Sequence, residues 1–238
     1  LKKLEDLITN STTGYLDPIN EKPDPTKPGT GDIIFIPYLE RLNASLCYYK
    51  GFSLREEFPG INKWLTLFEN LSTYTGTQGD FHTHSHDLPP QMGGCFKQNN
   101  SKQIYYSNLI DNGTGLGDLE INKSHDLNYY SKLALFRVIK HKENIINSNP
   151  CDSELFEYGL RSVLTYVYSG EITKVDESCA IGLRYLRDRI SVPRDMPLIS
   201  ARILRVALER IAALCNSKDT YKIPTQHRYD QNPSGFIN

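Results

Sequence analysis

Apolar residues recur at helical spacing over most of the chain, and where they do not, prolines and glycines take over. Leu1, Leu4, Leu7 and Ile8 repeat as one side of a helix would. Between Asn10 and Gly29 come Pro18, Pro23, Pro25 and Pro28. Each removes a backbone donor and fixes φ, so this stretch reads as a loop. The periodicity returns at Ile33, Ile36, Leu39 and Leu42, with Ile34, Phe35 and Tyr38 widening the apolar surface into that of a central helix. Its start is marked by Gly29-Thr30-Gly31-Asp32, in which Thr30 is a capping candidate and Asp32 closes a capping box. Pro37 falls early enough in the helix for its missing amide to cost little. A second helix opens at Phe58-Pro59, where proline suits the first helical position, and carries Ile61, Trp64, Leu65, Phe68 and Leu71 on its inner face.

Residues 75–126 lose this periodicity and are rich in turn formers. Three or four helices follow. The first spans about 127–146, with Leu133, Leu135, Phe136, Ile139 and Ile145. The second is capped by Asp152 or Ser153 and stopped by Gly170, with Phe156, Leu160, Val163, Leu164 and Val167 facing inward. The third begins at Asp176 and uses Ala180, Leu183, Leu186 and Ile190. The fourth runs over about 198–214 with Ile199, Ile203, Val206, Leu208 and Ile211, after a link bracketed by Pro193 and Pro197. The tail from Thr220 is polar and reads as extended. The fold class expected is mostly all-α, in three segments: a helical unit over 1–76, an irregular connector over 77–125 and a helical extension over 126–238.

The run P-G-T-G-D-I-I-F-I-P-Y-L-E-R-L, followed by F-P-G-I-N-K-W-L-T-L-F-E-N-L-S-T-Y, resembles the buried helix and the next helix of a glutathione transferase C-terminal domain. That family usually has S-x-x-D where this chain has Gly29 to Asp32, and Asp32 sits at the family's structural aspartate. Ser72 and Thr73 depart from the family's Arg-Pro. A narrower resemblance runs from Y-L-E-R-L-N-A-S-L through D-F-H-T-H-S-H-D-L-P-P-Q-M-G-G-C. It is to a glutathione transferase-like subgroup of cyanobacteria and plastid-bearing organisms, in which a helical region follows the transferase fold. The resemblance implies a thioredoxin-like domain upstream that binds glutathione, the family's cosubstrate, and activates its thiol through a Tyr, Ser or Cys. The helical part forms the wall for the electrophile. It therefore assigns no catalytic or cofactor-binding residue here. Two functions stay open: the helical portion of a glutathione-dependent transferase or reductase, or a non-catalytic binding or scaffold subunit, such as one in a photosynthetic assembly.

Charge and composition narrow the partners. The formal net charge is -1, so no global attraction to nucleic acid is implied. No apolar run reaches the length of a membrane span. Five cysteines, widely spaced and without C-x-x-C, fit reduced thiols inside the cell, in cytoplasm or plastid stroma. Six N-x-S/T sequons, Asn43 and Asn70 among them, read as a by-product of Asn and Ser richness. The arginines at 184, 187, 189, 194, 202, 205 and 210 admit a docking surface for an acidic partner or for phosphate groups. A solvated face laced with local ion pairs is the favoured reading. A homodimer or a larger complex formed through the helical extension is the partner class expected.

Two motifs suggest chemistry. His82, His84 and His86 alternate, so an extended backbone would set all three on one face, where imidazoles bind zinc or copper. Asp80, Asp87 and Cys95 lie near. The favoured alternative is a packed loop whose histidines bond to backbone and carboxylates. Asn112-Gly113-Thr114-Gly115-Leu116-Gly117 lacks both the G-x-G-x-x-G spacing and the Lys-Ser/Thr ending of phosphate loops, and reads as a turn.

Overall fold

The computed structural model describes residues 1–16, 24, 27–92, 94–112, 126–173 and 175–215. The phosphate-loop look-alike beyond Asn112 and the polar tail lie outside the described residues. Among those described, every regular element is a helix.

Helix α1 (Lys2–Thr9) packs against α4 (Pro59–Glu69) after the chain has run through α2 (Thr30–Lys50) and the single turn α3 (Leu54–Glu57). The start of α4 has no side-chain cap of its own. Glu5 supplies one from α1: its two carboxylate oxygens accept from Gly60 N and Ile61 N, each at 2.7 Å. An anion at the positive end of a helix, satisfying two orphan amides, ties α1 to α4. Helix α2 stops at Gly51, which adopts φ +67° as the left-handed C-cap. A Cβ there would sit 2.5 Å from Gln103 N, so glycine is required twice over.

The face of α2 divides along its length. Ile36, Leu39, Trp64, Ile61 and Phe68 form one core cluster with Ile8 and Tyr15. Ala44, Cys47, Tyr48 and Tyr49 form a second with Phe81, Tyr106 and Ile110. Ile33, expected to face inward, is 59% exposed, and Ile34, Phe35 and Tyr38 are exposed beside it. The first turns of α2 are therefore not central. Asn43, a sequon in the sequence, is buried, and its Oδ1 accepts from Leu54 N at 2.9 Å, joining α2 to α3.

The connector is not irregular throughout. After the turn α5 (Ser72–Thr75), it holds α6 (Phe81–Met92) and α7 (Ser101–Asp111), both packed on α2. Asp80 Oδ1 accepts from Thr83 N at 2.9 Å, and Asn100 Oδ1 from Gln103 N at 2.7 Å. These caps are legible, but the polar run H-T-H-S-H-D hid the helix, because its buried side is built from histidine, threonine and serine rather than aliphatics.

The C-terminal bundle follows the expected order. The first expected helix is two, α8 (Leu127–Lys140) and α9 (Lys142–Asn147), broken at His141. Asp152 caps α10 (Ser153–Ser169), accepting from Glu154 N and Leu155 N, and Gly170 ends it in the left-handed region. A 3-10 turn (Glu177–Cys179) leads into α11 (Ala180–Arg189), and α12 (Leu198–Leu214) fills the centre against α8, α10 and α11. Close approach is built in at Gly159, where a Cβ would meet Cys179 Sγ at 2.8 Å. Helix α12 is buried on nearly every side, Arg202 and Arg205 included.

Candidate functional site

Asp32 is fully buried and gathers three donors. Its Oδ2 accepts from Gly29 N at 2.9 Å; its Oδ1 accepts from Leu16 N at 2.8 Å and from the Trp64 indole Nε1 at 2.6 Å. One carboxylate thus starts α2, holds the preceding loop at Leu16 and fixes the tryptophan of α4. The cap position itself is Gly29, with no side-chain cap bond, so Thr30 does not cap. Glycine has no side chain to supply the reciprocal half of the box, and Asp32 does the capping alone.

The second polar centre is α6, which lies between the α2 unit and the C-terminal bundle. Because the backbone is helical rather than extended, His82, His84 and His86 do not share a face. His82 and His86, one turn apart, have ring centroids 4.5 Å apart. His84 points away to Glu40, with Nε2 2.6 Å from Oε1. Glu40 also accepts from Tyr74 OH at 2.6 Å and Gly79 N at 3.0 Å, so this pair ties α6 to α2 and to the turn after α5. The expected three-histidine metal face is therefore not formed. Among the described residues, no group of three or more His, Cys, Asp or Glu is placed to hold a metal ion.

His86 bonds through Nε2 to Asp111 Oδ1 at 2.8 Å, and Asp111 Oδ2 accepts from Tyr48 OH at 3.1 Å. Lys97 lies over the Tyr48 ring, 4.4 Å from its centroid. Burial and the neighbouring His82 push the His86 imidazole below its usual value, against the pull of Asp111. His82 is 4% exposed, and neither ring nitrogen has a hydrogen-bond partner; its Nε2 is 3.5 Å from Asp188 Oδ1. Burial would raise the Asp188 carboxyl, but His82 and Arg187 outweigh it and hold it at about 2. An imidazole oriented by a carboxylate can move a proton. Yet among the described residues no Ser, Thr or Cys side chain bonds to these imidazoles, so no activated nucleophile is assembled.

Arginine completes the centre from the other side. Arg205 is 2% exposed and pairs with Asp80 through Nη1, donates through Nη2 to Ile190 O at 2.6 Å and through Nε to Arg187 O at 3.3 Å. Thr83 Oγ1 accepts from Val192 N at 3.0 Å, a further link from α6 to the bundle. Arg187 pairs with Asp188 and Glu209, and Arg184 with Glu209 at 3.1 Å. The docking surface and the solvated face both fail for these residues: Arg184, Arg187, Arg202 and Arg205 are buried. For Arg202 and Arg205 the signal that could have placed them inward is their position beside Leu204 and Leu208 on the mainly apolar α12; α11, with four charged residues in ten, carried none. Glu40 and Asp111 carried no such signal, since their partners are far away in sequence, and for Asp188 only the adjacent Arg187 is near while His82 is far.

No helix among the described residues is long and apolar enough to cross a membrane. Comparison of the chain with protein-family models, with curated proteins and with solved structures finds no match to any of them.

Proposed function

We propose that the chain is the helical portion of a glutathione-dependent transferase or reductase, with glutathione bound by a thioredoxin-like domain upstream of it. The observation that carries this reading is the Asp32 centre. A buried aspartate at the third position of α2 caps that helix and holds the tryptophan of α4, the structural part that the resemblance gives to this residue. The exposed Ile33, Ile34, Phe35 and Tyr38 lie on the same first turns and offer an apolar surface for such a domain to cover. The residues of this chain then supply a wall for the electrophile and none of the thiol activation. Cysteines that are all free, three of them buried, suit a reducing compartment such as cytoplasm or plastid stroma.

A second reading, a non-catalytic scaffold subunit, is favoured by α8. Tyr129, Phe136 and Ile139 are exposed along it while Ala134 and Val138 turn into the core, which suits contact with a partner or a second copy. Intact mass of the protein purified from its own cells separates the two. A mass well above the 27.2 kDa of this chain is expected for the transferase reading. A mass of 27.2 kDa would overturn it in favour of the scaffold.

A further inference from the structure

Helix α8 turns one side to the core and presents a different kind of side outward. Ala134 and Val138 are buried in the core of the bundle, and the Ser200 hydroxyl donates to Tyr130 O at 2.9 Å, which holds the helix on α12. On the outer side Tyr129 and Phe136 are each 56% exposed and Ile139 is 59% exposed. At 3.6 residues per turn these three share an arc of about 100° with Lys132 and Lys140. Both lysines are exposed, and Lys142 stands exposed just past the end of the helix, at the start of α9. Between Asp126 and Glu143 the sequence holds no carboxylate, and among the described residues none pairs with these three lysines. Lys140 Nζ is 5.9 Å from the centroid of the Phe136 ring, so the charge sits beside the apolar residues rather than apart from them.

A bland account makes the lysines complements to a helix end and the apolar residues scattered exposure. It covers Lys140, which lies in the last turn of α8. It does not cover Lys132, two turns earlier, or Lys142, whose charge at the first position of α9 opposes the dipole of that helix. The apolar residues are not scattered either, since they form one strip with the lysines set into it. Those lysines, which neither functional reading uses, decide what covers the strip. A second copy docked on it would set lysine against lysine. Single-stranded nucleic acid takes a basic groove with stacking rings, whereas this is the convex outer side of one helix, and Ile139 cannot stack. A bilayer with anionic headgroups satisfies both parts, because it offers negative charge at its surface and hydrocarbon just beneath. The attraction is local, in a chain whose net charge is -1.

We propose that the outer side of α8 binds the surface of an anionic phospholipid bilayer. Tyr129, Phe136 and Ile139 enter the boundary between headgroups and acyl chains, and Lys132, Lys140 and Lys142 extend to the headgroup phosphates. The helix lies in the plane of the membrane and does not span it. The site is independent of glutathione and of the Asp32 centre.

The test is co-sedimentation of the full chain with vesicles of phosphatidylcholine alone and of phosphatidylcholine with about 30 mol% phosphatidylglycerol, in about 0.1 M salt. Binding to the anionic vesicles is expected to be at least about tenfold stronger than to the neutral ones, and to fall about tenfold at about 0.5 M salt. Lys132→Gln, Lys140→Gln and Lys142→Gln combined should lose about fivefold per lysine and bring binding down to the level of the neutral vesicles. Phe136→Ser with Ile139→Ser should weaken binding to the anionic vesicles about tenfold with the lysines in place. All these positions are exposed, and urea unfolding checks that each variant keeps its fold. Phe136→Trp should be quenched by lipids brominated along the acyl chains, while Trp64 of the parent, fully buried, should not. No preference for anionic vesicles, parental binding by the lysine variant, or a Phe136→Trp emission untouched by brominated lipid would each overturn the proposal. So would a dimer of the parent, seen by light scattering, that the paired serine substitutions dissolve.

Discussion

Asp80 and Arg205 are 125 residues apart in the chain and form an ion pair in which the side chains are 5% and 2% exposed. Asp80 also caps α6, and Arg205 also holds two carbonyls at the end of α11. The pair fastens the helix of the histidines to the C-terminal bundle. Two charges are tolerated in such a place only because each has its partner and Arg205 has further acceptors. Asp80→Asn keeps the capping oxygen but leaves the guanidinium uncompensated. Its unfolding free energy should fall by about 3–5 kcal/mol. Asp80→Leu combined with Arg205→Met should lose less than Asp80→Asn alone, because no charge is stranded. Urea unfolding followed by far-UV circular dichroism measures both.

Asp32 satisfies three buried donors at once. Asp32→Ala strands an indole N–H and two amides and should cost about 3–5 kcal/mol. Trp64 is the one tryptophan of the chain, so its emission reports the loss directly. The variant should unfold at lower urea with an emission already shifted before the transition. A variant as stable as the parent would remove Asp32 from the account of the fold.

Acid should weaken the α6 centre in two stages. The folded-state value of His86 lies below that of the unfolded chain. The unfolded chain therefore takes up that proton first, and the stability is complete above the ordinary histidine value and declines as pH falls through it. Asp188 is held at about 2 against 3.8, so its contribution is full above about pH 4 and lost between about pH 4 and 2, roughly 2 kcal/mol in all. Asp188→Asn should lose that stability at neutral pH and flatten the pH dependence of unfolding in the lower window. A variant with the same acid slope as the parent would contradict the assignment.

Thiol reactivity should follow burial. Burial pushes the Cys47 and Cys179 thiols up to about 12, and Cys215 is buried beside Cys179. At about pH 8 almost none of these is thiolate. Iodoacetamide under native conditions should modify the half-buried Cys95 first and Cys151 next, with Cys47, Cys179 and Cys215 at least about tenfold slower. Peptide mass mapping reads the order, and early loss of Cys47 would contradict it.

How much of this was legible in the sequence depended on whether the signal was local. The helices from 127 onward, the Asp152 cap and the Gly170 stop were readable because apolar spacing and capping chemistry lie within a few residues. Asp32 was readable as a structural residue for the same reason, though Thr30 was not excluded as a cap. The α6 helix was not, since its inner side is polar and its register is held by Glu40, Asp111, Asp188 and Arg205. Those partners come from four other regions of the chain. The buried arginines misled in the same way: charge in a sequence suggests solvent, and only the packing of α11 and α12 shows the ion pairs inside.

The central claim is tested most directly by calorimetric titration of reduced glutathione into the protein purified intact from its own cells. Saturable binding, one glutathione per chain, is the expected result, together with no binding to the 238-residue chain alone. Absence of glutathione binding by the intact protein would contradict the transferase reading.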